Sequence, residues 1–184
     1  MKDLKEFNIS FIGLKDGEHH FEYVIKKEFF EFYNYDEFNN SNVHVNVLFL
    51  KKTTMFELDF KLTGWVEVAC DVTNEMFQQP ISSNLKLIVN FGKEYNDENE
   101  EILIIPYSEH TLNVAQYIYE AIVLAVPTKR IHPGIEDGTL NSDILDKLKE
   151  FEINREENEK IEDNQDIDPR WNKLKDILID KNKE

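Results

Sequence analysis

The chain has 184 residues, enough for one domain with a hydrophobic core and an additional segment. Its formal net charge of -16 argues against loose binding to nucleic acid or to an anionic membrane, because such binding needs a positive surface. A single Cys excludes an intramolecular disulfide and a zinc site made of Cys alone. Since the N-terminal residues lack the apolar run of a signal peptide and no window is apolar enough to span a bilayer, we expect a cytoplasmic protein without a membrane partner.

The N-terminal region shows the alternation of two half-buried strands. Apolar and polar residues alternate over 7–11 and again over 21–25, on either side of a turn at 13–17. We therefore predict a hairpin within residues 5–33. The aromatic stretch 27–35 has no clean period, and we expect it to form a helical turn or a loop that covers the sheet.

The longest alternating run defines the centre of the predicted sheet. One strand is predicted over 42–50, followed by a polar turn at 51–54. The next strand keeps its apolar residues on one face from Phe56 to Cys70. A straight strand of this length would span about 50 Å, too long for the domain, so we expect a bend or break at Gly64. A bulge there would move Cys70 to the other face.

The next region supplies the last predicted strands. Alternation over 85–91 predicts a strand, 92–101 is an acidic loop, and 102–105 is a short apolar strand.

A helix follows these strands. Ser108 or Thr111 is suited to cap its start, and Pro127 stops it at about Val126. Because the helix is apolar almost all round, we expect it to be buried against the sheet.

The C-terminal third changes character. Residues 134–167 are predicted to be an acidic, partly flexible segment. It contains a weak amphipathic helix over about 140–151, followed by a Glu-rich stretch, 154–166, that is too poor in apolar side chains to fold alone. In 168–184, Asp168 is a good N-cap and Pro169 suits the first helical position. One apolar stripe with lysines outside it then predicts a docking helix; the stripe is Trp171, Leu174, Ile177 and Leu178.

These elements predict an α+β fold. Residues 1–133 form the core domain, a bent antiparallel sheet of about six strands packed by one buried helix. Closure of the sheet into a partial β-barrel remains an alternative.

Three ordered pieces of the chain resemble a known family. They are Val68–Thr73 leading to Pro80, then Glu120–Pro127 followed by Lys129 and His132, then Asp168–Leu174. The chain resembles the YceD-like family, the large ribosomal RNA subunit accumulation proteins, and most closely its Bacteroidetes-type branch. The motif positions are Cys70, Asp71, Glu120, Pro127, Asp168 and Pro169. The resemblance implies a non-catalytic role that supports 23S rRNA accumulation and biogenesis of the large ribosomal subunit.

The resemblance also bears on metal binding. Many family members have Cys-x-x-Cys at the turn, whereas here Cys70 is followed by Thr73 in place of the second Cys. A site of Cys70, His132 and either Asp71 or His110 would have one thiolate and no second close-spaced ligand. We therefore expect no cofactor and no zinc, and we expect Cys70 to be a small buried hydrophobe.

A binding surface is predicted near the end of the buried helix. It requires the terminal helix to fold back beside the loop after Pro127, and it consists of Lys129, Arg130, His132, Arg170, Trp171 and Lys173. Such a surface suits phosphates of folded RNA, and the alternative is a solubilising rim. We expect Glu120 to pair with Lys129 or Arg130, or to be exposed.

Three functions are compatible with these residues. The first is a binding protein in large-subunit biogenesis that contacts ribosomal RNA or a basic ribosomal protein. The second is a small-molecule or metal-binding β-barrel protein. The third is an acidic chaperone-like module that shields a basic client and uses Trp171 as a clasp. We expect no enzyme, since the sequence contains no nucleophile–base set and no pair of catalytic carboxylates.

Overall fold

The computed structural model describes residues 4–99, 101–140, 143–148 and 150–151. The chain divides into two units, Met1–Glu136 and Asp137–Glu184. In the second unit, residues 143–148 are helical. The predicted docking helix at 168–184 and most of the predicted acidic segment lie outside the described residues.

The first unit is the predicted α+β domain. Its described residues form eight strands: β1 (Asn8–Ser10), β2 (Gly17–Ile25), β3 (Asn40–Lys51), β4 (Met55–Ala69), β5 (Met76–Gly92), β6 (Asn96–Asn99), β7 (Ile102–Pro106) and β8 (Thr111–Asn113). A 3-10 turn precedes them at Leu4–Phe7, and three helices lie between or after them: α1 (Lys27–Glu31), α2 (Ala115–Ala125) and α3 (Pro133–Glu136).

Six strands form one bent, open sheet in the order β2-β3-β4-β5-β7-β6, and β1 pairs with β8 in a second, two-stranded sheet. All pairs of the large sheet are antiparallel except β5 with β7, which is parallel. This one pair departs from the predicted antiparallel arrangement. It arises because the chain leaves β5, forms β6 at the sheet edge and returns with β7 between them.

The long strand β4 keeps its parity through Gly64. Its pairings with β3 and β5 continue without a register shift, and Phe60, Leu62 and Val66 are all buried. No bulge forms, so Cys70 stays on the core face as the alternation predicts. At Gly64 the neighbouring strand comes so close that a Cβ atom would lie 2.2 Å from the Asn42 carbonyl oxygen.

The predicted N-terminal hairpin is wrong. β1 pairs with β8, and β2 pairs with β3. The carbonyl groups of Phe11 and Leu14 in the intervening turn accept hydrogen bonds from Lys51 Nζ at 3.0 and 2.7 Å, and Phe11 N donates to His110 O. The turn is therefore held by β3 and the β7–β8 loop. Alternation identified both strands but carries no information on which strands pair.

Helix α2 begins at Ala115, later than the predicted cap at Ser108 or Thr111. Residues 111–113 form β8, and Asn113 Oδ1 accepts a hydrogen bond from Ala115 N at 2.9 Å at the start of α2. Leu112 is buried opposite Ile9 of β1, and this pairing draws the segment into a strand. Helix α2 ends at Ala125, close to the predicted stop.

Two further strand boundaries differ from the prediction. The acidic stretch predicted as a loop contains β6, which pairs with β7. β5 begins at Met76, nine residues earlier than predicted, and includes Pro80, Ser82 and Asn84, residues that are uncommon in strands. Its pairing with β4 over the whole length overrides these local preferences.

Aromatic side chains connect α1 and the loop after it to α2. Phe30 and Phe38 pack edge to face at 4.9 Å, and Tyr33 stacks on Tyr119 of α2 with ring centroids 4.1 Å apart. Phe29 and Phe30 are buried. Of the two predicted forms, a helical turn or a loop that covers the sheet, the structure shows a helical turn at Lys27–Glu31, and the cover also packs against α2.

Candidate functional site

The turn after β4 is a compact hydrogen-bonded corner. Cys70 N donates to Glu75 O at 2.8 Å, and Asn74 N donates to Cys70 O at 2.9 Å. Asn74 has a φ of 60°, a left-handed conformation that Asn tolerates better than most residues. The backbone therefore closes tightly around the Cys70 side chain.

The Cys70 thiol is buried and surrounded by donors. Its exposed fraction is 2%, and His132 N donates to Sγ at 3.3 Å. Burial raises the pKa of the Cys70 thiol, but the hydroxyl of Thr73 and the backbone N–H groups of His132, Thr73 and Val72 outweigh burial and hold the pKa below its ordinary value. The expected burial of Cys70 is confirmed, and Thr73 contributes a hydrogen-bond donor to the thiol.

The donor set at this corner does not fit a structural zinc ion. A tetrahedral site needs four N, S or O ligands, and Thr73 supplies no thiolate. His132 Nδ1 accepts a hydrogen bond from Gly134 N at 3.0 Å, and its ring packs against Phe77. Within the described ranges, no group of three or more His, Cys, Asp or Glu side chains is placed to hold a metal.

Hydrogen bonds and ion pairs of Arg130 join the Cys70 corner to the segment after α2. Arg130 N donates to Asp71 Oδ2 at 2.7 Å, and Asp71 N donates to Arg130 O at 2.8 Å. The Arg130 guanidinium lies 3.4 Å from Asp71 Oδ1 and 3.2 Å from Glu37 Oε2. Arg130 thus connects three segments and has two carboxylates beside it.

The structure brings together only part of the predicted binding surface. Lys129 is exposed, while Arg130 and His132 are half-buried against the Cys70 corner. The other predicted members, which are Arg170, Trp171 and Lys173, and the motif positions Asp168 and Pro169 lie outside the described residues. The described part of this surface therefore has one exposed cation, Lys129, and one cation matched by carboxylates.

Glu120 is exposed on α2, the second of the two expectations for it. Its Oε1 accepts a hydrogen bond from Gln116 Nε2 at 2.9 Å, one helical turn earlier. Arg130, a predicted partner, pairs with Asp71 and Glu37. Pro127, two residues after the end of α2, is exposed.

Sequence reasoning missed a groove beside α2. It has a volume of about 630 Å³ and lies between α2, the middle of β5 and β6. Leu85 and Leu124 contribute apolar surface, and Asp97 and Glu120 contribute carboxylates. Leu124 is 83% exposed although it lies in a mostly apolar helix. Its position on the helix face away from the core was the feature of the sequence that could have indicated the groove.

The first unit is itself acidic. Residues 4–136 contain 21 acidic and 11 basic side chains, so 10 of the 16 net negative charges lie there.

In the part of the chain that the structure describes, no helix is long and apolar enough to cross a membrane.

Comparison with known proteins places the chain in a family. A family model described as "Large ribosomal RNA subunit accumulation protein YceD" matches residues 58–178. The chain belongs to the YceD family. The match covers about two thirds of the chain and begins within β4, so it includes the Cys70 corner, α2 and the groove. No curated protein and no solved structure matches.

Family membership confirms the resemblance seen in the sequence, while the Bacteroidetes-type branch stays a prediction. The description of the family ties it to the accumulation of large ribosomal subunit RNA. It does not specify whether a member contacts RNA or protein, and that choice depends on the surface of this chain.

Proposed function

We propose that the protein is a non-catalytic binding protein, without a metal cofactor, that supports 23S rRNA accumulation in the cytoplasm. In this proposal it binds a basic protein of the large ribosomal subunit during assembly and does not bind the rRNA directly. Family membership supports the link to large-subunit assembly. The choice of a protein partner follows from charge.

The observation that carries this choice is the pairing of Arg130. RNA contacts require cations free to meet phosphates, and the release of counterions from those phosphates supplies much of the affinity. Arg130 is instead flanked by Asp71 and Glu37, and residues 4–136 of the first unit have a net charge of -10. Such a surface repels phosphates and attracts the Lys- and Arg-rich surface of a ribosomal protein.

The test is purification of the tagged full-length chain from growing cells, with and without nuclease treatment of the extract. We expect precursor large subunits to accompany the untreated protein, and at least one basic ribosomal protein to remain bound after the RNA is digested. The variant Lys129→Ala serves as a control and should retain this partner, because Lys129 belongs to the predicted RNA surface.

Two outcomes would overturn the proposal. Complete loss of the ribosomal protein on nuclease treatment would mean that RNA carries the contact. Absence of large-subunit components under both conditions would remove the link to assembly.

A further inference from the structure

Within the described residues, one edge of β5 has no partner strand over most of its length. β5 pairs with β4 from Met76 to Asn90, but on its other side β7 pairs only with Ile88–Gly92. Among the strands that the structure describes, none pairs with this side of β5 before residue 88. On this side, a row of backbone donors and acceptors of β5 therefore has no strand partner in the described part of the chain.

The parity of β5 identifies the groups on this edge. Ile88 N donates to Glu101 O at 2.8 Å on the β7 side, and the β4 pairing has no register shift. Because the backbone of a strand alternates with a period of two, the N–H and C=O groups of Ser82, Asn84 and Lys86 point to the same side. All three residues are exposed.

Pro80 limits the free edge at its other end. It has the same parity and has no N–H, and its carbonyl accepts a hydrogen bond from Gln79 Nε2 at 3.1 Å. Among the residues that the structure describes, the edge is thus protected by Pro80 at one end, carries the charged Lys86 at the other, and has no strand partner from 82 to 86. Proteins generally block sheet edges that have no role in binding. A stretch of edge that is left without a partner is therefore a candidate binding site.

The open edge borders the groove of about 630 Å³. Half-buried Leu85 and Val123 and exposed Leu124 give it apolar surface, while Asp97 and Glu120 give it two carboxylates. No Lys or Arg side chain is among the described residues that line it. A ligand that lies along the edge would meet apolar surface and two carboxylates in the groove, and the exposed Lys86 at one end.

Each carboxylate accepts a hydrogen bond from a neighbouring side chain. Tyr95 donates its hydroxyl to Asp97 Oδ2 at 3.2 Å and also interacts with the Tyr117 hydroxyl on α2. Burial, together with the nearby Tyr95, Asp97 and Glu120, raises the pKa of Tyr117 well above its ordinary value, so this phenol stays neutral. Gln116 holds Glu120 in the same way. The two acids therefore lie on either side of the groove, each with a hydrogen-bond donor beside it.

We propose that the 82–86 edge of β5 binds an extended basic segment of a partner protein by strand addition. Backbone hydrogen bonds to the edge give the affinity, apolar side chains pack on Leu85 and Leu124, and Lys or Arg side chains reach Asp97 and Glu120. The inference rests on the proposed function for the nature of the partner, and it adds the place and the conformation of the bound segment.

The experiment uses the full-length chain and a synthetic ten-residue peptide of alternating Val and Lys, labelled for fluorescence anisotropy. We expect binding, and we expect amide hydrogen exchange of Ser82, Asn84 and Lys86 to slow when the peptide is bound. The same peptide with alternate backbone nitrogens methylated keeps its side chains but loses half of its donors, and it should not bind. A Val–Glu peptide should not bind either.

Charge variants test the groove. Asp97→Asn combined with Glu120→Gln should weaken Val–Lys binding roughly three- to tenfold, as expected for the loss of two exposed ion pairs. Glu22→Gln, an exposed change on the distant edge strand β2, should leave binding unchanged. Circular dichroism of each variant confirms that the fold is retained.

Equal binding of the methylated peptide, or protection that appears outside 82–86, would overturn the inference. Competition by single-stranded oligoadenylate for the same residues would also overturn it, in favour of a nucleic acid. If the Val–Lys peptide does not bind at this edge but a ribosomal protein still accompanies the chain after nuclease treatment, the proposed function stands and the partner binds at another surface.

Discussion

Gly64 is the residue at which the central strand and its neighbour come closest. A Cβ atom built there would lie 2.2 Å from Asn42 O and 2.7 Å from Val43 Cα, both of them backbone atoms of β3. Since neither atom belongs to a flexible side chain, the neighbour cannot move aside without moving its strand. The glycine at position 64 is therefore a requirement for close approach and not for a left-handed conformation.

Gly64→Ala should lower the free energy of unfolding by about 1–3 kcal/mol, the usual cost of overpacking a tight core. Urea unfolding followed by tryptophan fluorescence measures the change. Gly13→Ala is the matched control, because a Cβ there meets nothing within 4 Å. Its effect should stay within about 0.5 kcal/mol. Equal effects of the two substitutions would contradict the close approach at Gly64.

At the Cys70 corner, the sequence predicts the burial of one residue but not the ion pairs around it. Alternation along β4 placed Cys70 on the buried face, and the structure agrees. The pairing of Arg130 with Asp71 and Glu37 could not be predicted, because the three residues are far apart in the sequence and only the folded chain brings them together. Opposite charges alone do not indicate which of many possible pairs will form.

At the scale of elements, α1, the loop after it and α2 form one aromatic cover. Tyr35 lies at its edge, packed against Phe38 at 4.9 Å and Tyr119 at 5.9 Å, and its hydroxyl donates to Glu37 Oε2 at 3.4 Å. Burial, the charge of Glu37 and this hydrogen bond raise the pKa of Tyr35 to about 12. The folded state therefore favours the neutral phenol.

This shift predicts a loss of stability at high pH. Below pH 10 Tyr35 is neutral in both states and its contribution is fully present; between pH 10 and 12 the unfolded chain ionises first, and the contribution is lost. Tyr35→Phe should reduce the fall in unfolding midpoint between about pH 9 and about pH 11.5, measured in urea. Tyr107→Phe, at a residue 72% exposed, is the control. Identical pH dependence of wild type and Tyr35→Phe would contradict the assignment.

The strands and helices also show which patterns in the sequence are sufficient to predict an element. Alternation with a period of two located most strands, and the apolar run before Pro127 located the buried helix. The partners of β1, the parallel pairing of β7 and the early start of β5 were missed, because each depends on contacts between distant segments. The open edge beside Pro80 was missed for the same reason, since an unpaired edge is visible only when all partners are known.

At the scale of the whole molecule, charge distinguishes the two candidate partners. The family match ties the chain to large-subunit RNA, and a net charge of -10 on residues 4–136 disfavours direct contact with phosphates. Both facts are compatible if the protein acts on the RNA through a basic ribosomal protein. The composition shows the sign of the charge, and the structure adds that Arg130 of the first unit is already matched by carboxylates.

The most direct measurement is crosslinking in precursor particles purified with the full-length protein. A zero-length reagent that joins carboxylates to amines, read by mass spectrometry, should connect Asp97 or Glu120 and other acidic residues to lysines of a basic large-subunit protein. Ultraviolet crosslinking of the same particles should join little or no rRNA to the chain. Abundant ultraviolet crosslinks to 23S rRNA, without carboxylate–lysine crosslinks to a ribosomal protein, would contradict the account.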